Sequence, residues 1–102
     1  MSELLDKQFK FCETLPKLLE EILRRGYKYT LGCAYCVKEG HHRKGSCHYV
    51  RLAIDINLFK DGVWLKDGSG HDELHDFWSE LGGAKPVPGD LNHYSVEYLG
   101  RR

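Results

Sequence analysis

The chain predicts an α+β fold, a small and mainly antiparallel sheet packed by an N-terminal helix and a second, short helix. Three observations carry that expectation. Apolar residues recur at helical spacing from Ser2 to Arg25. A strand-like run, Val50 to Phe59, leads into an Asp61-Gly62 turn. A second helical stretch, Asp72 to Leu81, is closed by Gly82-Gly83.

In the first element Leu5, Phe9, Cys12, Leu15, Leu19, Ile22 and Leu23 are separated by Lys, Glu and Arg, which gives one apolar face. Pro16 removes an amide donor, so it either kinks this helix or starts a second one after Thr14. Gly26 suits a C-cap, and Arg24 and Arg25 suit the negative end of the helix dipole. Tyr27 to Leu31 alternates aromatic and β-branched residues and reads as a strand. Residues 38–47 form a polar, glycine-punctuated loop. After the hairpin turn, Val63-Trp64-Leu65 is the return strand. Lys66 to Gly70 is a loop, residues 84–92 an ordered loop with two prolines and a glycine, and His93 to Leu99 a final strand.

At 102 residues the chain is expected to form one domain spanning 1–102, with a single core. Fifteen basic and 15 acidic residues balance, so no global field points to nucleic acid or to an anionic membrane. No apolar run approaches the ~20 residues of a membrane span. The start, Met-Ser-Glu-Leu-Leu-Asp, lacks the basic and apolar regions of a secretory signal, so cytoplasmic synthesis is expected. Four cysteines in such a setting read as thiols. Cys33-Ala34-Tyr35-Cys36, with Cys47, His41 and His42 nearby, raises a zinc-knuckle interaction protein as an alternative. A second CxxC or HxxxH at the separation that a knuckle needs does not accompany it.

The chemistry concentrates in Ser46-Cys47-His48-Tyr49-Val50-Arg51-Leu52-Ala53-Ile54-Asp55, answered by Asp90-Leu91-Asn92-His93. Two imidazoles and a carboxylate are three N/O ligands, and an open fourth position is what a catalytic zinc needs. Asp90, three residues before His93, supplies a spare carboxylate to accept a proton from water. His48 and Asp55 are seven apart, so one straight strand would point them to opposite faces. Both reach one metal only if His48 lies at the end of the preceding loop or if the strand bulges. Asp55 on an otherwise apolar strand must meet a cation or hydrogen-bond donors. These residues read as a small zinc hydrolase.

Ser46-x-His48-x6-Asp55 followed by Asp90-x-x-His93 resembles the zinc D,D-carboxypeptidase and L-alanyl-D-glutamate endopeptidase family. Its members cleave peptidoglycan, share a fold with the hedgehog signalling domain and include bacteriophage endolysins. Arg51 to Phe59, Asp61-Gly62 and Phe77 to Gly83 resemble a compact phage and prophage branch, and the likeness runs from about Gly26 to Tyr98. The resemblance implies zinc on His48, Asp55 and His93, with Asp90 as catalytic acid/base. Ser46 would touch substrate or orient its loop. Family members carry an arginine at the end of the strand before the His loop. Here that place reads Gly32-Cys33-Ala34-Tyr35-Cys36, so Arg43 or Lys44 would take the oxyanion role. Trp64, Trp78 and Tyr94 would line or support a shallow cleft, with plain core packing the better reading for Trp78, which sits on a helix face. The expected protein is a monomeric peptidase acting on the peptidoglycan stem peptide, reaching the cell wall after release if it is an endolysin. The alternative is a non-catalytic zinc-containing module of the same fold that binds cell-wall peptide or a protein.

Overall fold

The computed structural model describes residues 2–35 and 46–102. The elements follow the order α1 (Glu3–Arg24), β1 (Lys28–Leu31), a 3-10 turn (Cys47–Val50), β2 (Ala53–Lys60), β3 (Val63–Trp64), α2 (His71–Glu80) and β4 (His93–Ser95). Two helices on a small antiparallel sheet are the expected α+β class. Among the described residues no helix is long and apolar enough to cross a membrane.

Ser2 starts α1, its hydroxyl accepting the Leu5 amide at 3.1 Å. The helix then runs 22 residues with Pro16 inside it, so no second helix begins after Thr14. The carbonyl that Pro16 leaves without a donor belongs to Cys12, which is exposed to water. Thr14 Oγ1 meanwhile donates to the Lys10 carbonyl at 2.7 Å. Phe11, Leu18 and Ile22 form the buried face of α1, which packs with Leu74 and Trp78 of α2 and with β2.

β2 is the central strand. Ile54, Ile56 and Leu58 point into the core, while Asp55, Asn57 and Phe59 lie on the other face, half-buried. Its register with β1 pairs Tyr29 with Leu58 and Leu31 with Ile56. Asp55 turns its amide and carbonyl to Cys33 and Gly32 on this same edge. The carbonyl of Leu58 and the amide of Ile56 turn the other way, to Leu65 and Asn92, so β3 and β4 share the opposite edge.

Tyr27–Leu31 and Val63–Leu65 each lose one residue, to Lys28–Leu31 and Val63–Trp64, and the other two expected strands shorten by more. Val50 to Phe59 becomes Ala53–Lys60, because Cys47–Val50 curls into the 3-10 turn and Arg51 closes it in the left-handed region at φ 61°. His93 to Leu99 becomes His93–Ser95, since its partner strand ends there. Val96 adds one bond to the Leu52 carbonyl, and the chain then turns back through Leu99 and Gly100, with Tyr98 bridged to Arg101. The helix expected over Asp72 to Leu81 is shifted by one residue, to His71–Glu80.

Trp78 ties α2 to β4 by donating Nε1–H to the Ser95 carbonyl at 2.8 Å. Gly83 makes this possible, because a Cβ there would fall 2.0 Å from that indole nitrogen. Gly83→Ala therefore overpacks the core or displaces Trp78. We expect it to cost about 2–3 kcal/mol in chemical denaturation, with the midpoint lowered and the slope unchanged.

Candidate metal centre

The site is built from a cross-strand pair. Asp55 on β2 lies directly opposite His93 on β4. Because both backbone groups of Asp55 bond to the β1 side, this is a non-hydrogen-bonded pair, the kind that brings side chains closest. One carboxylate and one imidazole thus share a face without any loop being involved.

His48 comes from the 3-10 turn. Ser46 Oγ accepts the His48 amide at 3.3 Å, and the Leu52 amide returns to the Cys47 carbonyl at 2.9 Å. Between them the chain reverses, which solves the odd spacing between His48 and Asp55 by a turn before the strand. His48 Nε2 stands 2.9 Å from Asp55 Oδ1 and 3.1 Å from His93 Nδ1. His93 Nδ1 is 3.8 Å from Asp55 Oδ1.

Three lone-pair atoms therefore converge on one point, with both imidazoles almost fully buried and the carboxylate at 19 % exposure. Burial alone would push the Asp55 carboxyl up, but hydrogen bonds from His48 and His93 and their charges hold it down at about 2. An ionised carboxylate facing two ring nitrogens is a cation's environment. His48, Asp55 and His93 can hold a metal ion. His93 Nε2, on the far side of its ring, is buried with no hydrogen-bond partner among the described residues. The strand register and packing, and no hydrogen bond from that nitrogen, orient its ring.

Asp90 is set apart from these three. Its Oδ2 is 3.8 Å from His93 Nδ1, and its side chain is 47 % exposed. The Val87–Asp90 bridge and the Asp90 carbonyl, which accepts the His93 amide at 3.1 Å, hold it in a turn at the foot of β4. Ser46 is buried, with its hydroxyl turned to the His48 amide, a placement that orients the turn carrying His48. Arg43 and Lys44, the expected oxyanion residues, lie outside the described residues.

The knuckle alternative loses one member here. Cys47 is fully buried, and its thiol donates to the Val96 carbonyl in the core at 3.5 Å. Cys33 holds its Sγ near the Tyr35 carbonyl, while Cys36, His41 and His42 lie outside the described residues. The metal-competent group among the described residues contains no cysteine.

Of the three aromatics, Trp64 is half exposed and lines a cleft of about 240 Å³ that Asp90 also borders. Trp78 and Tyr94 are core residues. Tyr94 has partners that the sequence reading passed over. His75 stacks on its ring at 4.1 Å, and His71 Nδ1 lies 2.7 Å from its hydroxyl. The visible signal was the His71-x3-His75 spacing, which puts both rings on one face of α2. Burial, with a smaller contribution from His75, lowers the His71 imidazole to about 4.

Gly32 sits against the metal group, where an added Cβ would come 3.0 Å from Asp55 Cβ. Gly32→Ala should displace that carboxylate and weaken metal binding by tenfold or more, read by titration with a competing chelator, while the helical circular dichroism stays. His71 gives a pH prediction. Its unfolded form takes up a proton near 6.5 and its folded form only near 4, so the unfolded state binds more protons between them. With a chelator present, stability should fall as pH drops through that window, by up to about 1.4 kcal/mol per pH unit for this one group. A flat stability profile from pH 6.5 to 4 would contradict the neutral buried ring.

No protein-family model matches this chain, and comparison with curated proteins and with solved structures returns no match either.

Proposed function

We propose that the chain is a zinc metallopeptidase that hydrolyses a peptide bond in the stem peptide of bacterial peptidoglycan. The observation that carries this reading is the convergence of His48 Nε2, Asp55 Oδ1 and His93 Nδ1, with the Asp90 carboxylate beside them but not among them. Zinc–nitrogen and zinc–oxygen distances near 2.1 Å require ligand atoms about 3.4 Å apart in a tetrahedron. The separations of 2.9, 3.1 and 3.8 Å bracket that value. Two imidazoles and one carboxylate suit zinc, and three protein ligands leave a position for catalysis. The substrate rests on the sequence resemblance to the zinc D,D-carboxypeptidase and L-alanyl-D-glutamate endopeptidase family, as does the hedgehog-like fold.

Bound zinc supplies a Lewis acid and a water acidified toward about 7. His48, Asp55 and His93 would hold it from the turn, β2 and β4. Asp90 takes the proton from the attacking water and returns it to the departing amine. Its exposure suits that work, because a carboxylate that must both gain and lose a proton needs access to the cleft. A purely structural metal would need no second carboxylate at the cleft edge, which favours catalysis over the non-catalytic binding module.

Metal analysis and digestion of purified peptidoglycan test this together. Wild type should carry one zinc and release stem-peptide fragments, identified by mass. The His48→Ala/His93→Ala double variant should lose the metal. Asp90→Asn should keep zinc and melting temperature while hydrolysis falls by about 10²–10⁴-fold. Loss of zinc in Asp90→Asn would make Asp90 a ligand. A zinc-loaded wild type that cuts nothing would favour the binding module.

A further inference from the structure

α1 carries two apolar faces, and the core uses one of them. From Leu5 to Arg24 its sequence repeats every seven residues. Each repeat opens on an apolar residue followed by an acidic one, Leu5-Asp6, Cys12-Glu13 and Leu19-Glu20. Four residues on stands another apolar residue followed by a basic one, Phe9-Lys10, Pro16-Lys17 and Leu23-Arg24. The core takes the other two apolar columns, Leu4, Phe11 and Leu18 in one and Leu15 and Ile22 in the next.

The opening columns turn outward. Leu5 is 36 % exposed, Phe9 48 % and Leu23 56 %, with Cys12 and Pro16 exposed as well and Leu19 half-buried. These six stand alternately four and three residues apart, which is the seam spacing of a coiled coil. The seam runs about 27 Å along the helix. Scattered apolar residues on a surface are ordinary, but a continuous row in register marks an interaction face. Five of the seven residues whose spacing predicts α1 lie on this row.

The edge of the seam selects its occupant. On the side away from the core the flanking positions are Asp6, Glu13 and Glu20, all exposed. On the other side they are Gln8, Leu15 and Ile22, which the fold already engages, Gln8 through the Val50 carbonyl at 2.9 Å. A second copy offers no match to the acidic row. Antiparallel pairing would set the acidic rows against each other, and parallel pairing would set each against Gln8, Leu15 and Ile22. Lys10, Lys17 and Arg24 stand one column too far from the seam to answer them. A helix that lies on a membrane carries Lys and Arg beside its apolar face, the reverse of this edge. A helix of another chain, apolar along its seam and basic along one edge, complements both the row and its charge.

We propose that the outward seam of α1 docks an amphipathic helix of a partner protein, whose row of Lys or Arg pairs with Asp6, Glu13 and Glu20. Three heptads, one of them carrying Pro16, make a small interface suited to a reversible complex of micromolar affinity. No residue of the metal group takes part, so the proposal stands or falls apart from the peptidase reading.

Synthetic three-heptad peptides with Leu at the seam positions test the pairing on the full chain. One carries Lys at both flanking positions, which covers either orientation, and a second carries Glu there. The Lys peptide should bind with micromolar affinity, gain helical circular dichroism and shift the amide NMR signals of residues 5–23. The Glu peptide should bind at least tenfold more weakly. Glu13→Lys/Glu20→Lys should reverse that preference, and Phe9→Ser/Leu23→Ser should weaken the Lys peptide by tenfold or more. All four positions are exposed, so melting temperatures should stay near wild type. Should the serine variant fail to fold, the charge reversal still decides. Silence of the Lys peptide, no reversal in the charge-swapped variant, or equal binding of a scrambled Lys peptide would overturn the proposal. A dimer of the chain alone in sedimentation, broken by Phe9→Ser/Leu23→Ser, would overturn it in favour of a second copy. Adsorption to phosphatidylcholine vesicles, lost in the same variant, would overturn it in favour of a membrane.

Discussion

The pairing of Asp55 with His93 across β2 and β4 is the constraint on which the rest of the site depends. A slip of one residue would turn Asp55 into the core and Ile54 or Ile56 onto the metal face, at the cost of burying an ion and exposing an apolar side chain. The alternation of β2 therefore fixes the register and the site with the same residues. Gly32, just past the end of β1, leaves the space that the Asp55 side chain occupies. The third metal-competent side chain is the one that the sheet cannot supply, and a capped turn delivers it.

That division explains how much could be read from the chain. The 3.6-residue period of α1 and the period-2 alternation of β2 are strong signals because each buries one continuous face. The Asp61-Gly62 hairpin follows from local backbone preference, both residues taking positive φ. His48, Asp55 and His93 were legible as a metal-competent group because a carboxylate on an otherwise apolar strand must meet a cation or hydrogen-bond donors. What escaped depends on tertiary context. β-branched and apolar residues from Val50 onward look like strand, but the Ser46 cap and the left-handed Arg51 bend the first of them into a 3-10 turn. β4 stops at Ser95 because β2 has no further extended backbone to offer it. Nothing in Val96 or Tyr98 announces that.

Polar groups in the core take the place of hydrophobic contact at one further point. Sequence reading passes over His71 and His75 and gives Tyr94 to the cleft. Here His75 stacks on Tyr94, His71 lies tilted against both, and His75 Nε2 reaches the Leu91 carbonyl at 2.7 Å. Burial lowers the pKa of both histidines, so they pack as neutral aromatic rings with fixed donors. Their polarity is directional, with the His75 ring aimed at the backbone and the His71 ring at the Tyr94 hydroxyl.

These contacts also show how a three-residue strand can hold a metal-competent side chain in place. α2 bonds to the segment at two points, through the His75 imidazole at Leu91 and the Trp78 indole at Ser95. The two donors are three residues apart on the helix, close to one turn, and their acceptors lie on either side of His93. Tyr94 sits between them, facing α2, so its neighbour His93 faces the opposite side of the strand and the metal group. Short strands fray when only their backbone ladder holds them. Here the helix restrains both ends of β4, and the ladder to β2 has only to set the register. The same helix brings His71 to the cleft. The position of His93 in the metal-competent group and that of His71 at the cleft are thus set by one element, and a displacement of α2 would disturb both together.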